Sequence, residues 1–526
     1  MSASLATLLS GLDHHRSGRL AEASRLYGTV SSEDAHYALA LTYRGLAALA
    51  GGDMTLAAEC LERASALRPG HIETLVAFAR ALLACGRFVE ARDAATRATA
   101  LAPASADAWF LAGTAHRAVG DAREGMAALR HAILLAPAHA SAHLNLGSAL
   151  ADLDLLDEAE AHMRHATRLD PGLPEAHASL GWLLAARGEL EGSKQASRMA
   201  IELRPDFARA HWNLSVSHLL GGEFEEGWRE YEWRKRHDLF AHDFPPLPGP
   251  EWQGEALAGR AILVRAEQGL GDTIQLARFL PMLAARGATV SLACAAALAP
   301  LLRTAPGVSA VVARESPGVA HDVWVDQLSL PGLLGIRLET IPGSLGYLAA
   351  DPARARSWNG RLPPGLRVGL VWSGNPRHGN DARRLLATAS LAPLMAVPGA
   401  NFVSLQVGPR VAGISELFGV PDRSADLTDF AETAALVANL DLVVAVDTAT
   451  AHLAGALGVP VWVMLPYAPD WRWMTARGDS PWYRSMRLFR QTRPGDWSGP
   501  VEAIADGLRA RYKSRFASRN LRCGAG

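Results

Sequence analysis

The chain has 526 residues, 49% hydrophobic and 20% charged, with a net charge of -1. That length calls for two to four domains, and the near-neutral balance excludes bulk electrostatic binding to nucleic acid or to an anionic membrane. Of the 52 Lys+Arg, only Lys194, Lys235 and Lys513 are lysines. The four cysteines (Cys60, Cys85, Cys294, Cys523) show no C-x-x-C spacing, which argues against a disulfide frame or a zinc site and for reduced thiols in the cytoplasm. The opening MSASLATLLSGLDHHRSG lacks the basic and apolar regions of a signal peptide. No run of about 18 apolar residues occurs, so no membrane span is expected.

The first half is repetitive. Pro69, Pro103, Pro137, Pro171 and Pro205 recur every 34 residues, the period of a helix–turn–helix unit of the tetratricopeptide type. Gly52, Gly86, Gly120, Gly188 and Gly222 keep the same period and predict the turn between paired helices, with Asp154 in the remaining slot. Ala64, Ala98, Ala132, Ala166 and Ala200 mark a small-residue slot of the second helix, and Gly45, Gly113, Gly147 and Gly181 a close helix approach. The repeat near 4–37 keeps Gly18, Ala23 and Tyr27 but lacks the proline ending, as suits a terminal cap. The predicted architecture over 1–240 is a superhelix with a concave inner face. Asn145, Ser179 and Asn213 share one slot of the first helix. A primary amide donates and accepts at once, so this row reads either as a surface for an extended peptide or as a solvated polar stripe. His143, His177 and His211 share another slot and read as packing residues, because a 34-residue stagger sets them too far apart for a metal.

A linker follows at 241–260, carrying the proline-rich FPPLPGPEWQG (244–254). The rhythm then changes to short apolar runs between helical patterns: 261–267, 289–295, 322–326, 366–374, 401–408, 440–447 and 460–465. Such runs predict parallel sheets. They fall into two units, 261–351 and 366–516, joined by 352–365 and followed by a tail at 517–526. Two such units favour a ligand in a cleft at the strand C-termini.

Three motifs sit at those strand ends. The first is Glu267-Gln-Gly-Leu-Gly-Asp272, where Gly269 and Gly271 permit a tight turn and Asp272 opens a helix, as a ligand-facing carboxylate or simply an N-cap. It lacks the third glycine of a dinucleotide fingerprint. The second runs from Trp372 to Asn380, with Ser373, Asn375, Arg377 and His378 on the loop and Arg383 and Arg384 beyond. Arginine forks suit phosphate oxygens. Gln406 ends the neighbouring run. The third is Asp447-Thr-Ala-Thr-Ala-His452-Leu-Ala-Gly-Ala-Leu-Gly458. Here Thr448 or Thr450 caps a helix whose first turn carries His452, and the exposed N–H groups and positive helix end favour an anion.

The third motif resembles the diphosphate-binding motif of glycosyltransferases with the two-unit GT-B fold, near the heptosyltransferases. Gly269-Leu-Gly-Asp272 resembles their first-loop motif, which implies Asp272 as catalytic base. With PYAPDWRW (466–473) and SPWYRSMRLFRQ (480–491), nearly all of 1–516 resembles bacterial glycosyltransferases that carry tetratricopeptide repeats. The polar row is similar to the asparagine ladder of O-linked N-acetylglucosamine transferases. The fold so implied is an α-solenoid of repeats followed by a GT-B domain of two Rossmann-like units.

The resemblance implies transfer of a sugar from a nucleotide sugar to Ser or Thr of a protein gripped by the concave face, with flagellin the acceptor of some members. The implied donor site is Gly269, Gly271, Ser373, Asn375, Arg377, Arg384, Gln406, Asp447, Thr448, Thr450 and His452. The implied acceptor row is Asn145, Ser179 and Asn213, and His378 is the next candidate base after Asp272. No cofactor is implied. No metal is expected either, since no Asp-x-Asp pair occurs from residue 251 onward. One departure stands out: the family's donor-phosphate lysine has no counterpart between Lys235 and Lys513, so either Arg377, Arg383 or Arg384 takes that role or donor binding is weakened. The rival expectation is an adaptor whose transferase-like domain no longer turns over. A nicotinamide-dependent enzyme is disfavoured by the missing glycine and acidic residue.

Overall fold

The structure, a computed structural model, describes residues 3–315, 318–343, 345–376, 381–408, 410–411 and 413–523. The chain divides into two compact units: Met1–Leu183 with Glu202–Pro205, and Leu184–Ile201 with Asp206–Gly526.

The first unit is helical from Ala3–Arg16 through Pro174–Ala186, as the 34-residue period predicts. The turn slot is a left-handed backbone position, with φ of 74° at Gly86, 92° at Gly120 and 58° at Asp154. Glycine takes that conformation without a Cβ penalty, and Asp is among the few other residues that tolerate it. At Gly113 a Cβ would lie 2.6 Å from Leu129 Cγ and 2.9 Å from the Gly125 carbonyl oxygen, so the helix pair closes only over a hydrogen. Ala64, Ala98, Ala132 and Ala166 are all buried.

The histidine slot proves to be a packing position with a bonding task. Trp109 Nε1 donates to the Pro103 carbonyl at 2.9 Å. His143 and His177 donate from Nε2 to the carbonyls of Pro137 and Pro171, each at 3.0 Å. In these three repeats one ring N–H thus satisfies the carbonyl that the preceding helix end leaves open, whereas His211 in the same slot pairs with Glu230 at 2.6 Å.

The second unit begins with the last repeat helices, Leu190–Leu203 and Ala208–Gly221, and the shorter Phe224–Tyr231. Two parallel sheets follow. The first contains β1 (Ala261–Arg265), β2 (Thr289–Cys294), β3 (Ala310–Ala313) and β4 (Val323–Asp326), in the order β3-β2-β1-β4. The second contains β5 (Leu366–Val371), β6 (Ala400–Ser404), β7 (Leu442–Val446), β8 (Val461–Leu465) and β9 (Met486–Arg490), in the order β6-β5-β7-β8-β9. Ile262 pairs with Val290 on one side and Val323 on the other, and Val368 with Phe402 and Leu442. β7 and β8 are buried throughout, as strands covered on both faces must be. This is the α/β architecture of the GT-B type.

Seven of the nine strands coincide with the apolar runs. The runs do not include β3 or β9, and both are edge strands. β3 is short and half-exposed, while β9 is interrupted by Arg487 and Arg490 inside the 480–491 motif. The final helix, Ser498–Cys523, runs past residue 516 rather than ending there.

In each sheet the chain leaves the first strand in one direction and later returns to its other side. The C-terminal ends of β1 and β5 are therefore topological switch points, where ligands bind in open parallel sheets.

The last repeat is part of this core. Phe224, Trp228 and Tyr231 share one apolar cluster with Ile262, Val264, Trp471 and Trp482. Trp228 meets Trp471 edge-on at 5.2 Å, and its Nε1 donates to the Ile336 carbonyl at 3.2 Å. A buried ion pair reinforces the join. Arg234 donates from Nε to Glu267 Oε2 at 2.9 Å and from Nη2 to Glu267 Oε1 at 2.7 Å, and both side chains are 0% exposed. Glu267 also accepts from the Leu328 N–H at 3.0 Å, and Arg234 reaches Ser329 Oγ at 2.9 Å. Glu267, which opens the first strand-end motif, is thus a structural anchor.

Candidate functional site

After β1 the chain turns through Gln268, whose φ of 56° is left-handed. Gly269 is the N-cap of the helix Leu270–Leu276. Asp272 lies at the third position of that helix and is not its N-cap. It reaches back instead, with Oδ2 accepting from the Gly269 N–H at 2.7 Å. Its Oδ1 is ion-paired with the guanidinium of Arg472, from the turn Trp471–Trp473 of the other half.

Arg472 is fully engaged. Nε donates to Gln275 Oε1 at 2.6 Å, Nη1 donates to Asp470 Oδ1 at 2.8 Å, and the guanidinium lies 4.1 Å from the Trp471 ring centroid.

Thr448 occupies the N-cap position of the helix Ala449–Ala456, but its hydroxyl donates to the Val446 carbonyl at 3.2 Å and makes no cap bond. The first intrahelical bonds come from Ala451 and His452 to the Thr448 carbonyl. The N–H groups of residues 449 and 450 thus lie ahead of the ladder, where an anion is favoured. Thr450 is half-buried beside them.

His452 is buried. Its Nδ1 is 2.9 Å from the Tyr483 hydroxyl, and its ring stacks on Trp473 with centroids 5.3 Å apart. Burial, then Arg472, Arg278 and Arg384, hold its pKa well below the usual value. A neutral imidazole is what so cationic a surrounding dictates.

One glycine brings the two motifs together. A Cβ on Gly271 would fall 2.8 Å from His452 Cδ2 and 3.5 Å from Ala449 Cα. The helices after β1 and β7 can therefore touch only because residue 271 has no side chain. Gly271→Ala is expected to displace His452 and to destabilise the fold by about 1–3 kcal/mol, the cost of overpacking. Urea denaturation followed by circular dichroism checks this.

Asp447 is buried, and its carboxyl is pushed up to about 6 by burial and by Asp470. Its backbone carbonyl accepts from Arg384 Nη1 at 2.9 Å. Gly374 makes space here, because a Cβ would lie 2.7 Å from Asp381 Oδ1 and 3.2 Å from Arg384 Nη2. Gln406 Oε1 accepts from the N–H groups of Trp372 and Ser373, at 3.3 and 3.1 Å, and so ties the ends of β5 and β6.

Asp272, Gly271, His452, Asp447 and Arg384 thus form one cluster. Gln406 and Ser373 support its rim, and Gly269 and Asn375 are exposed. Arg377 and His378 lie outside the described residues. Asn145 Nδ2 donates to Thr114 Oγ1 at 2.8 Å. Asn213 is buried and Ser179 half-buried. Arg472, Asp470, Gln275 and Tyr483 complete the cluster. Three of these four lie within the 466–491 motifs, but nothing in the sequence ties them to Asp272 or His452.

Among the described residues, no three His, Cys, Asp or Glu side chains are grouped to hold a metal. No helix among them is long and apolar enough to cross a membrane. A cavity of about 540 Å³ beside the helix Phe224–Tyr231, lined by Trp228, Glu232, Ser329, Ile336 and Arg337, contains none of the candidate residues.

Comparison with known proteins finds both kinds of architecture. Residues 48–113, and 8–72 with 111–174, match tetratricopeptide repeat models. Residues 425–474, which carry Asp447, His452 and Arg472, match glycosyltransferase family 9 (heptosyltransferase). Protein FlbA of Caulobacter vibrioides is 34% identical over 321 residues, 55% of this chain and 53% of that protein. The chain thus spans about half the length of this relative. A thermophilic TPR protein of Thermus thermophilus is 23% identical, with a TM-score of 0.32 over 35% of this chain and 99% of that one. The Cut9-Hcn1 hetero-tetramer of APC/C is 16% identical, with a TM-score of 0.37 over 41% of this chain and 42% of that one. The tetratricopeptide repeat matches thus lie in the N-terminal part of the chain, and the match to glycosyltransferase family 9 (heptosyltransferase) spans residues 425–474.

Proposed function

We propose that the chain transfers a sugar from a nucleotide-activated donor to a Ser or Thr hydroxyl of a protein recruited by the repeats. The observation that carries this reading is the approach of Gly271, next to Asp272 in the chain, to His452 and Ala449 at the start of the helix after β7. A carboxylate then stands beside an anion-binding helix end, the pairing that displacement of a phosphate leaving group requires. The acceptor oxygen attacks the anomeric carbon, the bond from that carbon to the phosphate oxygen breaks, and the acceptor proton passes to Asp272. The leaving phosphate stays at the N–H groups of residues 449 and 450, with Thr448, Thr450 and the neutral His452 around it and Arg384 adding charge. Asn145 and Ser179, both in the first unit, are the proposed acceptor contacts, while Asn213 is buried. Flagellin as acceptor and a CMP-linked nonulosonic acid as donor are the first pair to try.

Thermal shift of the full chain with CMP, UDP, ADP and GDP tests the donor site. One nucleotide should stabilise the protein, by about 2.7 kcal/mol at a hundredfold excess over Kd. His452→Ala should remove most of that shift. Equal shifts for all four, or a shift untouched by His452→Ala, would refute the placement. The missing lysine favours a second reading, an adaptor that binds without turnover. Transfer from a labelled donor separates the two.

A further inference from the structure

We propose that Arg472 is the donor-phosphate cation of this chain, parked on Asp272 until a nucleotide arrives, so that nucleotide binding uncovers the base. The proposal rests on the reading of this cluster as a nucleotide-sugar site, and it adds the residue that takes the place of the absent lysine.

The geometry supports it in three steps. First, both oxygens of Asp272 are engaged, Oδ2 by the Gly269 N–H at 2.7 Å and Oδ1 by Arg472. A carboxylate in two such bonds, one of them to a cation, is a poor proton acceptor, so turnover requires Arg472 to leave. Second, Arg472 belongs to the turn Trp471–Trp473 that packs on His452. It stacks on Trp471, its neighbour Trp473 covers His452, and its charge is among those that depress the His452 pKa. Of the other arginines whose charge acts on His452, Arg384 already donates to the Asp447 carbonyl and Arg278 to the Trp482 carbonyl. Third, the turn that carries Arg472 ends at Met474 with φ 54° and ψ -175°. A non-glycine residue there persists only where its surroundings impose it, and such strain concentrates at ligand clamps and switches.

Phosphate and Asp272 then compete for one guanidinium. Before donor binds, the base is masked. Once the guanidinium turns to the phosphate, Oδ1 is released to accept the acceptor proton. Donor therefore binds before acceptor chemistry can begin, and stray activation of water is suppressed.

Competition has a signature that a structural tie between the halves lacks. Calorimetric titration of the full chain with UDP, ADP, GDP and CMP reads it, with circular dichroism checking each variant. Asp272→Asn is isosteric, keeps an acceptor for the Gly269 N–H and removes the competing charge, so affinity for the preferred nucleotide should rise by about tenfold, the worth of one charge-assisted bond. Arg472→Gln should lower it by a similar factor, and Arg472→Lys should recover part of the loss. The double variant should bind like Arg472→Gln alone, since the gain depends on the freed arginine. Unchanged or weaker binding by Asp272→Asn overturns the proposal while leaving the donor site standing. If none of the four nucleotides binds wild type or Asp272→Asn, the donor site and the proposal fall together.

Discussion

Asp272→Asn is expected to lower kcat by about three orders of magnitude, within the range contributed by a positioned general base, in a protein that still folds and still takes up nucleotide. The amide occupies the same volume, and its oxygen still accepts from the Gly269 N–H that closes the helix start. What it loses is basicity and the ion pair with Arg472. These two losses act in opposite directions on different steps. Removal of the ion pair frees a cation for the donor, whereas loss of basicity leaves the acceptor hydroxyl with nowhere to send its proton. The expected pattern is a collapsed kcat, from loss of the base acting in the transition state, together with a lower donor KM, from the freed cation. Steady-state transfer with a labelled donor checks it. Retained turnover would remove Asp272 as the base.

The repeats were legible because their constraint is local and recurs. A left-handed turn needs glycine or a tolerant substitute, and Asp154 sits in that slot with φ 58°. The histidine slot was legible only as packing. That Trp109, His143 and His177 each serve the carbonyl of their own repeat's proline is a contact six residues back, visible once the turn geometry is known. Strands buried on both faces announced themselves as apolar runs. β9 did not, since Arg487 and Arg490 sit on an edge strand where only one side is covered.

The site was half legible. Residues at strand ends carry a recognisable combination of glycine, hydroxyl and carboxylate, and the structure brings Gly271 against His452 as that placement requires. The partner of Asp272 was not legible, because Arg472 lies on the other half and nothing in the spacing of a 526-residue chain pairs them. The same holds for Glu267. It stands five residues before Asp272 at the start of the same motif, where the residue pattern assigned it no role, and its carboxylate points to Arg234 at the end of the last repeat. Two carboxylates of one motif thus take different tasks, Glu267 bonding to Arg234 and Asp272 to Arg472, and a linear motif does not tell them apart.

That anchor carries the largest expected effect on stability. Glu267→Ala strands the Arg234 guanidinium at 0% exposure with only the half-exposed Glu232 and neutral groups to satisfy it. Removing one partner of a buried ion pair costs about 3–5 kcal/mol, because the remaining charge is left in a low dielectric without compensation. Replacing both, as Arg234→Met with Glu267→Leu, should return stability to near the wild-type value, since well-packed apolar side chains avoid the desolvation of both charges. Urea denaturation followed by tryptophan fluorescence checks this. Trp228, Trp252 and Trp471 lie in the same apolar cluster and report on this unit, while far-ultraviolet circular dichroism is weighted toward the helices, which matters because a chain of two units need not unfold in one step. If the double variant is as unstable as the single, the pair is not a simple charge anchor, and the polar bonds to Leu328 and Ser329 must hold the loop. If the double variant is stable but transfers sugar slowly, the ion pair sets the position of the Gly269–Asp272 turn rather than the stability of the fold, and the last repeat is then coupled to the catalytic loop through Arg234.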